Sequence, residues 1–250
     1  MVITQPKKRQ AGPGRGTGGR SARRNRSGLP AFWHSSIGKK IVMAVTGLVM
    51  LSWLLAHMLG NLKIFFGRRD FDHYADWLRT VGEPVLHGGW FLWISRAGLL
   101  VAVLLHITAA AQLSRRDVKA RPVKYAAGQR AKATFATRTM RYGGTILALF
   151  IVWHLLDLTA GVTNPDFHEG QVYDNVTADF QVWWINIIYI VAMVMLGLHI
   201  NHGFWSATQT LGINNPVRDR AVKAAGSTIA AVIALGFIAV PVGVMTGVIS

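Results

Sequence analysis

Histidine side chains inside long apolar runs are the residues of this sequence best suited to chemistry. Of the nine histidines, five interrupt stretches whose other residues suit a lipid environment. These five are His57, His106, His154, His199 and His202. An imidazole that water cannot reach needs a partner, and polar residues inside membrane spans are commonly functional. The remaining four fall at the ends of apolar runs or between them and are expected to be solvated: His34, His73, His87 and His168.

The positions of four of these histidines within their runs arrange them in two layers. Consecutive spans cross a bilayer in alternating directions, so the first and third spans run parallel, as do the second and fourth. His57 and His154 lie late in the first and third spans, and His106 and His199 lie late in the second and fourth. Two neutral imidazoles on opposite sides of an iron suit a six-coordinate haem. The sequence therefore predicts two b-type haems, one in each layer.

The stretch "LHINHGFW" contains two histidines, His199 and His202, which share one face of a helix at a spacing of i, i+3. His199 is the deeper of the two and is better opposed to His106, so we expect His199 to be the iron ligand. His202 lies closer to the end of the span, where its ring can donate a hydrogen bond to a haem propionate.

Other uses of buried histidines remain as alternatives. A proton relay generally includes carboxylates, and Asp157 is the only acidic residue within a span. A zinc site would gather its ligands at one depth. A transporter is expected to have broken helices near the middle of the membrane, yet only the fifth run contains a proline, Pro241. A single haem, a transporter and purely structural histidines are therefore the competing interpretations.

The elements that must position these side chains are membrane-spanning helices. The chain is 51% apolar and only 15% charged, and a helical span needs about 20 apolar residues. Five runs meet this requirement, at about 41–62, 90–113, 141–161, 181–203 and 223–248. The runs lack the alternation of a membrane β-barrel. We predict an all-α integral membrane bundle of five transmembrane helices within a domain that covers residues 31–250.

The net charge of +16 reflects topology rather than nucleic-acid binding. Ten Lys or Arg residues precede the first span and eight lie between the second and third, whereas the connection from the third span to the fourth has none. The positive-inside rule then predicts a multi-pass protein of the plasma membrane with its N-terminus in the cytoplasm and its C-terminus outside. Residues 1–30 are predicted to be a disordered basic cytoplasmic tail, and no cleavable signal peptide is expected.

The absence of cysteine limits the cofactors that this chain can hold by itself. With no Cys in the sequence, disulfides, covalent c-type haem and Cys-ligated iron–sulfur clusters are excluded within the chain. There is also no dinucleotide-binding fingerprint, so FAD is not expected here.

Four short motifs, in order along the chain, resemble one known family. They are "AHMLGN" in the first span, "LLHIT" in the second, "WH" in the third and the stretch from His199 to Gly212 in the fourth. Together they resemble the membrane-anchor cytochrome b subunit of succinate:quinone oxidoreductases, of the single-chain, five-helix, di-haem type. The resemblance covers about residues 30–248. The phrases "RNRSGLPAFWHSSIGKK" and "SRRDVKARPVKY" resemble the actinobacterial branch, which implies menaquinone as the quinone.

This resemblance implies a role within a larger complex. A flavoprotein subunit would oxidise succinate, an iron–sulfur subunit would relay electrons, and this chain would anchor both at the cytoplasmic face. His106 and His199 would hold the proximal haem, and His57 and His154 the distal haem. The runner-up functions are the anchor of a fumarate reductase and the haem b subunit of another dehydrogenase.

Haem propionates and quinone would need further polar residues. Candidates to bind propionates are Arg96 and Trp90 on the outer side, and Lys40, Arg141 and His202 on the inner side. Acidic and imidazole groups of segment 68–89 are candidates to exchange protons with quinone: Asp70, Asp72, His73, Asp76 and Glu83. An interfacial amphipathic helix is the alternative interpretation of this segment. A slot on the cytoplasmic side near Trp33, His34, Ser35 and Ser36 is the alternative location for quinone.

Overall fold

The computed structural model describes residues 28–120, 131–213 and 215–250. Most of the predicted tail, residues 1–30, lies outside these ranges. The described chain is helical and contains no strand. Its helices are α1 (Leu29–His34), α2 (Ser36–Leu62), α3 (Arg68–Thr80), α4 (Trp90–Lys119), α5 (Ala131–His154), α6 (Val172–Phe180), α7 (Trp183–Thr210) and α8 (Asp219–Met245). A 3₁₀ turn, Lys63–Phe66, extends α2, and a π-helical turn, Leu155–Thr159, extends α5.

Five helices are long and apolar enough to cross a membrane. They are Ser36–Phe66, Trp90–Lys119, Met140–Thr159, Trp183–Thr210 and Asp219–Met245. The predicted all-α bundle with five spans is thereby confirmed, and the chain is a multi-pass membrane protein. The helices extend past the apolar runs, because polar residues at a membrane surface do not break a helix. For example, α2 begins at Ser36, where the Ser35 hydroxyl oxygen accepts the N–H of Gly38 at 2.8 Å.

The two ends of the bundle can be named from the chain itself. The amino-terminal end is where α2 begins, and there α4 and α7 end and α8 begins. The carboxy-terminal end is where α8 ends, and it also contains α3 and α6. These two short helices are joined because Arg68 forms an ion pair with Asp174 and the N–H of Tyr173 donates to Asp72 at 3.0 Å.

Close packing of small residues holds the helices together. The helix pair α7 and α8 forms the most extensive contact, α2 packs against both, α4 packs against α2, and α5 packs against α7. A side chain added at Gly197 would lie 3.2 Å from Ala234, and one added at Gly236 would overlap Met58. Glycine therefore permits close approach of α8 to α7 and α2, as is common between membrane helices. In the described part of the chain, α2 and α5 make no more than marginal backbone contact, and the same holds for α4 and α7.

Candidate cofactor sites

The four span histidines meet in two pairs across the bundle. The ring centroids of His57 on α2 and His154 on α5 are 6.2 Å apart, with the ring planes at 71°. The centroids of His106 on α4 and His199 on α7 are 6.3 Å apart, with the planes at 59°. Each pair joins two helices whose backbones barely touch, so the side chains reach across a gap.

The spacing within each pair suits two imidazoles that share one metal. A metal–imidazole bond of about 2.0–2.1 Å and about 1.1 Å from ring nitrogen to centroid place the two centroids about 6.2–6.4 Å apart when the nitrogens lie on opposite sides of the metal. The observed separations of 6.2 and 6.3 Å agree with this value. Two His ligands with no third protein ligand are typical of a metal whose other positions belong to a macrocycle, as in haem.

A hydrogen bond to one nitrogen of His106 leaves the other nitrogen free as a ligand. His106 Nδ1 lies 3.2 Å from the Thr46 hydroxyl, which itself donates to the carbonyl of Val42 at 2.7 Å. Since that hydroxyl proton is already used, the tautomer that satisfies both groups is the one in which Nδ1 of His106 carries the proton and donates it to Thr46. The lone pair is then on Nε2, as a metal-ligating histidine requires.

The same arrangement occurs at His154, through a longer chain of groups. His154 Nδ1 lies 3.1 Å from the Tyr189 hydroxyl, and that hydroxyl donates to Asp157 Oδ2 at 3.2 Å. Nδ1 of His154 therefore donates to Tyr189, and Nε2 is again free. Sequence reasoning missed both Thr46 and Tyr189, because each lies on a different helix from the histidine that it contacts.

The other histidine of each pair, His57 or His199, has no Nδ1 hydrogen bond to a hydroxyl among the described residues. His57 stacks on Trp53 with centroids 4.6 Å apart, and Phe237 of α8 lies 5.7 Å from the His57 ring. His199 has a buried Nδ1 atom without a hydrogen-bond partner in the described residues. A buried ring nitrogen without a partner is costly, so hydrogen bonding does not stabilise this ring as it does that of His106.

Two glycines leave room beside the pair formed by His106 and His199. A side chain added at Gly47 of α2 would lie 3.4 Å from the His106 ring, and one added at Gly144 of α5 would lie 3.7 Å from the His199 ring. Each glycine precedes the histidine of its own helix by ten residues, His57 or His154, which is about 15 Å of helical rise. The repeated Gly-to-His spacing was the available sequence signal for two layers at this separation.

The candidates for binding propionates occupy different surroundings. Arg96 is exposed, and its guanidinium lies over the Trp93 ring at 5.1 Å. Lys40 is exposed as well. Its neighbour Lys39 is buried, and the ammonium of Lys39 donates to the carbonyl of Trp33 at 2.7 Å. The others are spread over the bundle: Trp90 is exposed, Arg141 lies 3.9 Å from Asp117, and His202 is half-buried on α7.

The candidates for proton exchange with quinone lie on α3 and in the segment that follows it. The sequence offers an interfacial amphipathic helix as the alternative interpretation of this segment, and α3 is a helix at that position. Asp72 is half-buried and accepts the N–H of Tyr173. The other four are exposed: Asp70, His73, Asp76 and Glu83. Asp70 and His73 line a shallow surface cleft together with Arg69.

The alternative quinone location, near Trp33, His34, Ser35 and Ser36, is contacted by Arg116 of α4. Arg116 donates to the carbonyl of His34 at 2.9 Å and to the Ser36 hydroxyl at 3.2 Å. The hydroxyl of Ser35 caps α2, and the carbonyl of Trp33 accepts from Lys39. Arg116 and Lys39 were not among the predicted residues.

The four histidines expected to be solvated are exposed in the structure: His34, His73, His87 and His168.

No protein-family model, curated protein or solved structure matches this chain.

Proposed function

We propose that this chain is the di-haem b membrane anchor of a succinate:menaquinone oxidoreductase. The observation that carries the proposal is the pairing of four histidines from four consecutive spans, with ring centroids 6.2 and 6.3 Å apart. One such pair could arise from packing alone. Two pairs at the same spacing, one of them with a glycine beside each ring, are better explained by two planar groups.

The protein residues in this proposal ligate, orient and shield. His106 and His199 hold the haem nearer the amino-terminal end, and His57 and His154 hold the other. Thr46 and Tyr189 fix the rings of His106 and His154 so that Nε2 faces the iron. The surrounding apolar side chains exclude water, which favours neutral imidazole. When bound, the two haems supply one-electron carriers at two depths in the membrane.

The complex around the chain follows from the family resemblance and the charge pattern. We propose that the amino-terminal end is cytoplasmic and contacts the iron–sulfur and flavoprotein subunits, which oxidise succinate. Quinone exchanges electrons and protons with the chain near α3, where Asp70, Asp72 and His73 lie close to the carboxy-terminal end of the bundle. The two nearest alternatives, a fumarate reductase anchor and an anchor for another dehydrogenase, use the same four ligands.

Haem content tests this proposal directly. The purified chain should show a reduced b-type spectrum, and a pyridine haemochrome assay should give two haems per polypeptide. The substitutions His57→Ala and His154→Ala should each remove the same spectral component, and His106→Ala and His199→Ala the other. His168→Ala is the matched control, since this exposed histidine should leave both components intact.

The outcomes separate the candidate functions. A preparation free of haem would overturn the proposal and favour a transporter with structural histidines. Loss of both components from every variant would contradict two independent layers. Copurified flavoprotein and iron–sulfur subunits with succinate-dependent quinone reduction would distinguish the proposed complex from other dehydrogenases.

A further inference from the structure

A π-helical turn places a carboxylate inside the carboxy-terminal end of the bundle. The turn Leu155–Thr159 follows His154 directly, and its middle residue, Asp157, is 0% exposed. The turn widens the helix, and such π turns occur frequently at functional sites. A buried carboxylate at this depth needs donors or a cation to offset its lost hydration.

Both oxygens of Asp157 have hydrogen-bond donors. The Thr163 hydroxyl donates to Oδ1 at 2.8 Å, and the Tyr189 hydroxyl donates to Oδ2 at 3.2 Å. Neither donor carries a charge, and no Lys, Arg or His in the described ranges forms an ion pair with Asp157. Both hydrogen-bond donors to Asp157 in the described ranges are thus neutral.

A second carboxyl group lies within hydrogen-bonding reach of the first. Asp179, near the end of α6, is 2% exposed, and neither of its oxygens has a donor among the described residues. Asp157 is the group that faces it. Two unprotonated carboxylates cannot hydrogen-bond each other, because both are acceptors. A proton between them supplies the missing donor.

The backbone around Asp179 keeps the carboxyl group in this position. Asn186 of α7 donates through its side chain to the carbonyls of Phe180 and Val182, which fixes the turn between α6 and α7. Phe180 and Tyr189 pack edge to face, with centroids 4.8 Å apart, and belong to the apolar cluster that covers this region. Asp179 therefore cannot easily turn outward to reach water.

Burial is the main cause that raises the pKa of Asp179 to about 8 from an ordinary value of 3.8, and the adjacent Asp157 carboxylate is the second.

Other charged groups near α6 already have partners. Asp174 of α6 pairs with Arg68, and Asp72 of α3 accepts from the backbone of Tyr173. From α7, the group that faces the pair is Tyr189, which uses its proton for Asp157. At the end of the chain after α8, the Ser250 carbonyl accepts from the Tyr173 hydroxyl.

We propose that Asp179 is a buried proton-binding site, in which the neutral carboxylic acid donates a hydrogen bond to the Asp157 carboxylate. The ligand of this site is one proton. Tyr189 joins the site to His154, so three hydrogen bonds, through Asp157 and Tyr189, connect Asp179 to that imidazole. The site itself depends on the two carboxyl groups and their donors, and does not require the function proposed above.

Infrared spectroscopy of the purified full-length chain in H₂O and D₂O tests the protonation of Asp179. Wild type should show the carbonyl stretch of a buried carboxylic acid at neutral pH, and the band should disappear with a midpoint near pH 8. Asp179→Asn should lack the band, since its amide donates to Asp157 without a titratable proton. Asp174→Asn, five residues away on the same helix and ion-paired in wild type, is the control that should keep it.

The pH dependence of stability gives a second measurement. Between the ordinary pKa of 3.8 and about 8, folded Asp179 keeps a proton that the unfolded chain has lost. The unfolded state then binds fewer protons, so stability falls as pH rises, and the unfolding constant increases about tenfold per pH unit in this window. Asp179→Asn should remove this dependence, and Asp174→Asn should retain it.

The results that would overturn the proposal are specific. They are a wild-type chain without a carboxylic acid band below pH 8, a band that persists in Asp179→Asn, or equal pH dependence in both. A cation bound by the two carboxylates would give no band and a stability that depends on added metal. Haem content does not enter either measurement, so failure here and failure of the proposed function are distinguishable.

Discussion

At the scale of single residues, the paired imidazoles depend on partners that fix which nitrogen carries the proton. Thr46 and Tyr189 perform this task from other helices, at 3.2 and 3.1 Å. Partners of this kind orient the ring and raise its basicity, and their loss typically weakens metal binding about 10–100-fold. The histidines themselves are therefore only part of each site.

We expect Tyr189→Phe to weaken the binding of the haem that we propose His57 and His154 hold, without unfolding the chain. The ring of Tyr189 still packs against Phe150 and Phe180, but the hydroxyl that receives the His154 proton is gone. Retention of this haem during dilution or mild detergent treatment should fall about 10–100-fold, and its redox potential should shift. The measurement is a redox titration that resolves the two b components.

Tyr173→Phe is the matched control for this prediction. The Tyr173 hydroxyl donates to the carbonyl of Ser250 at 3.0 Å, away from any histidine of the two pairs. Its loss should cost about 1 kcal/mol of stability and leave both potentials unchanged. Equal behaviour of the two variants would show that the Tyr189 hydroxyl has no special effect on His154.

Residue types and spacing predicted which histidines lie inside the bundle, and the structure brings them together in the expected pairs. The partners were beyond prediction because they depend on the rotation of neighbouring helices. Lys39 and Lys40 illustrate the problem: the sequence offered both, we named Lys40, and the structure buries Lys39 instead. Successive side chains point about 100° apart around a helix. Which of the two lysines is buried therefore depends on how the helix is rotated about its axis, and an apolar run does not determine that rotation.

At the scale of helices, a repeated spacing between glycine and histidine relates the two layers. Gly47 and Gly144 face the histidines of one layer, while the histidines ten residues further along the same helices form the other. Because α2 and α5 carry the same spacing, the two layers repeat at about 15 Å. The sequence contained this repeat, yet its meaning required the contacts across the bundle.

Gly144→Leu should selectively remove the haem held by His106 and His199. The new side chain would enter the space in front of the His199 ring, where even a methyl group would lie at 3.7 Å. Pyridine haemochrome analysis should then give about one haem per chain in place of two, with the spectrum of the other layer preserved. Gly47→Leu should behave in the same way.

The control for these variants is Gly98→Leu on α4, since a side chain at Gly98 meets no atom within 4 Å. This variant should keep both haems. If Gly144→Leu also kept both, the space beside His199 would not be a cofactor site.

Packing between helices gives a separate prediction about stability. A side chain at Gly236 of α8 would overlap the thioether of Met58, which is only 3% exposed. Gly236→Leu should therefore destabilise the bundle by about 1–3 kcal/mol, as overpacking commonly does, and lower its melting temperature in detergent. Leu235→Ala is the control, because Leu235 is 66% exposed and should change stability little.

The lengths of the apolar runs predicted the five spans well, whereas the short helices differ in how visible they were. The mixture of aromatic and charged residues in segment 68–89 offered an amphipathic helix as the alternative interpretation, and α3 is a helix in that segment. Nothing comparable indicated α6, whose buried side chains include the polar Asn175, Thr177 and Asp179. Polar residues are buried there because tertiary hydrogen bonds and, as we propose, a proton satisfy them, and a sequence pattern does not record such partners.

At the scale of the whole molecule, the distribution of charge predicts which membrane face each end of the bundle occupies. It therefore orients the proposed electron path across the membrane. Lys and Arg are concentrated before the first span and between the second and third, while the connection between α5 and α7 contains only acidic charges. The positive-inside rule predicts that the amino-terminal end faces the cytoplasm. In that orientation, the pair His106 and His199 lies on the side where we propose that the soluble subunits bind, and Asp179 lies on the opposite side.

Single-cysteine labelling tests this orientation, and the chain suits the method because it contains no cysteine. Val85, between α3 and α4, is 90% exposed, and Val217, between α7 and α8, is 91% exposed. In intact cells, a membrane-impermeant maleimide should label Val85→Cys and leave Val217→Cys unlabelled until the membrane is opened. In detergent both should react equally, because their exposures match. The reverse pattern in cells would invert the topology and contradict both the proposed contact with an iron–sulfur subunit at the amino-terminal end and the proposed order of the two haems.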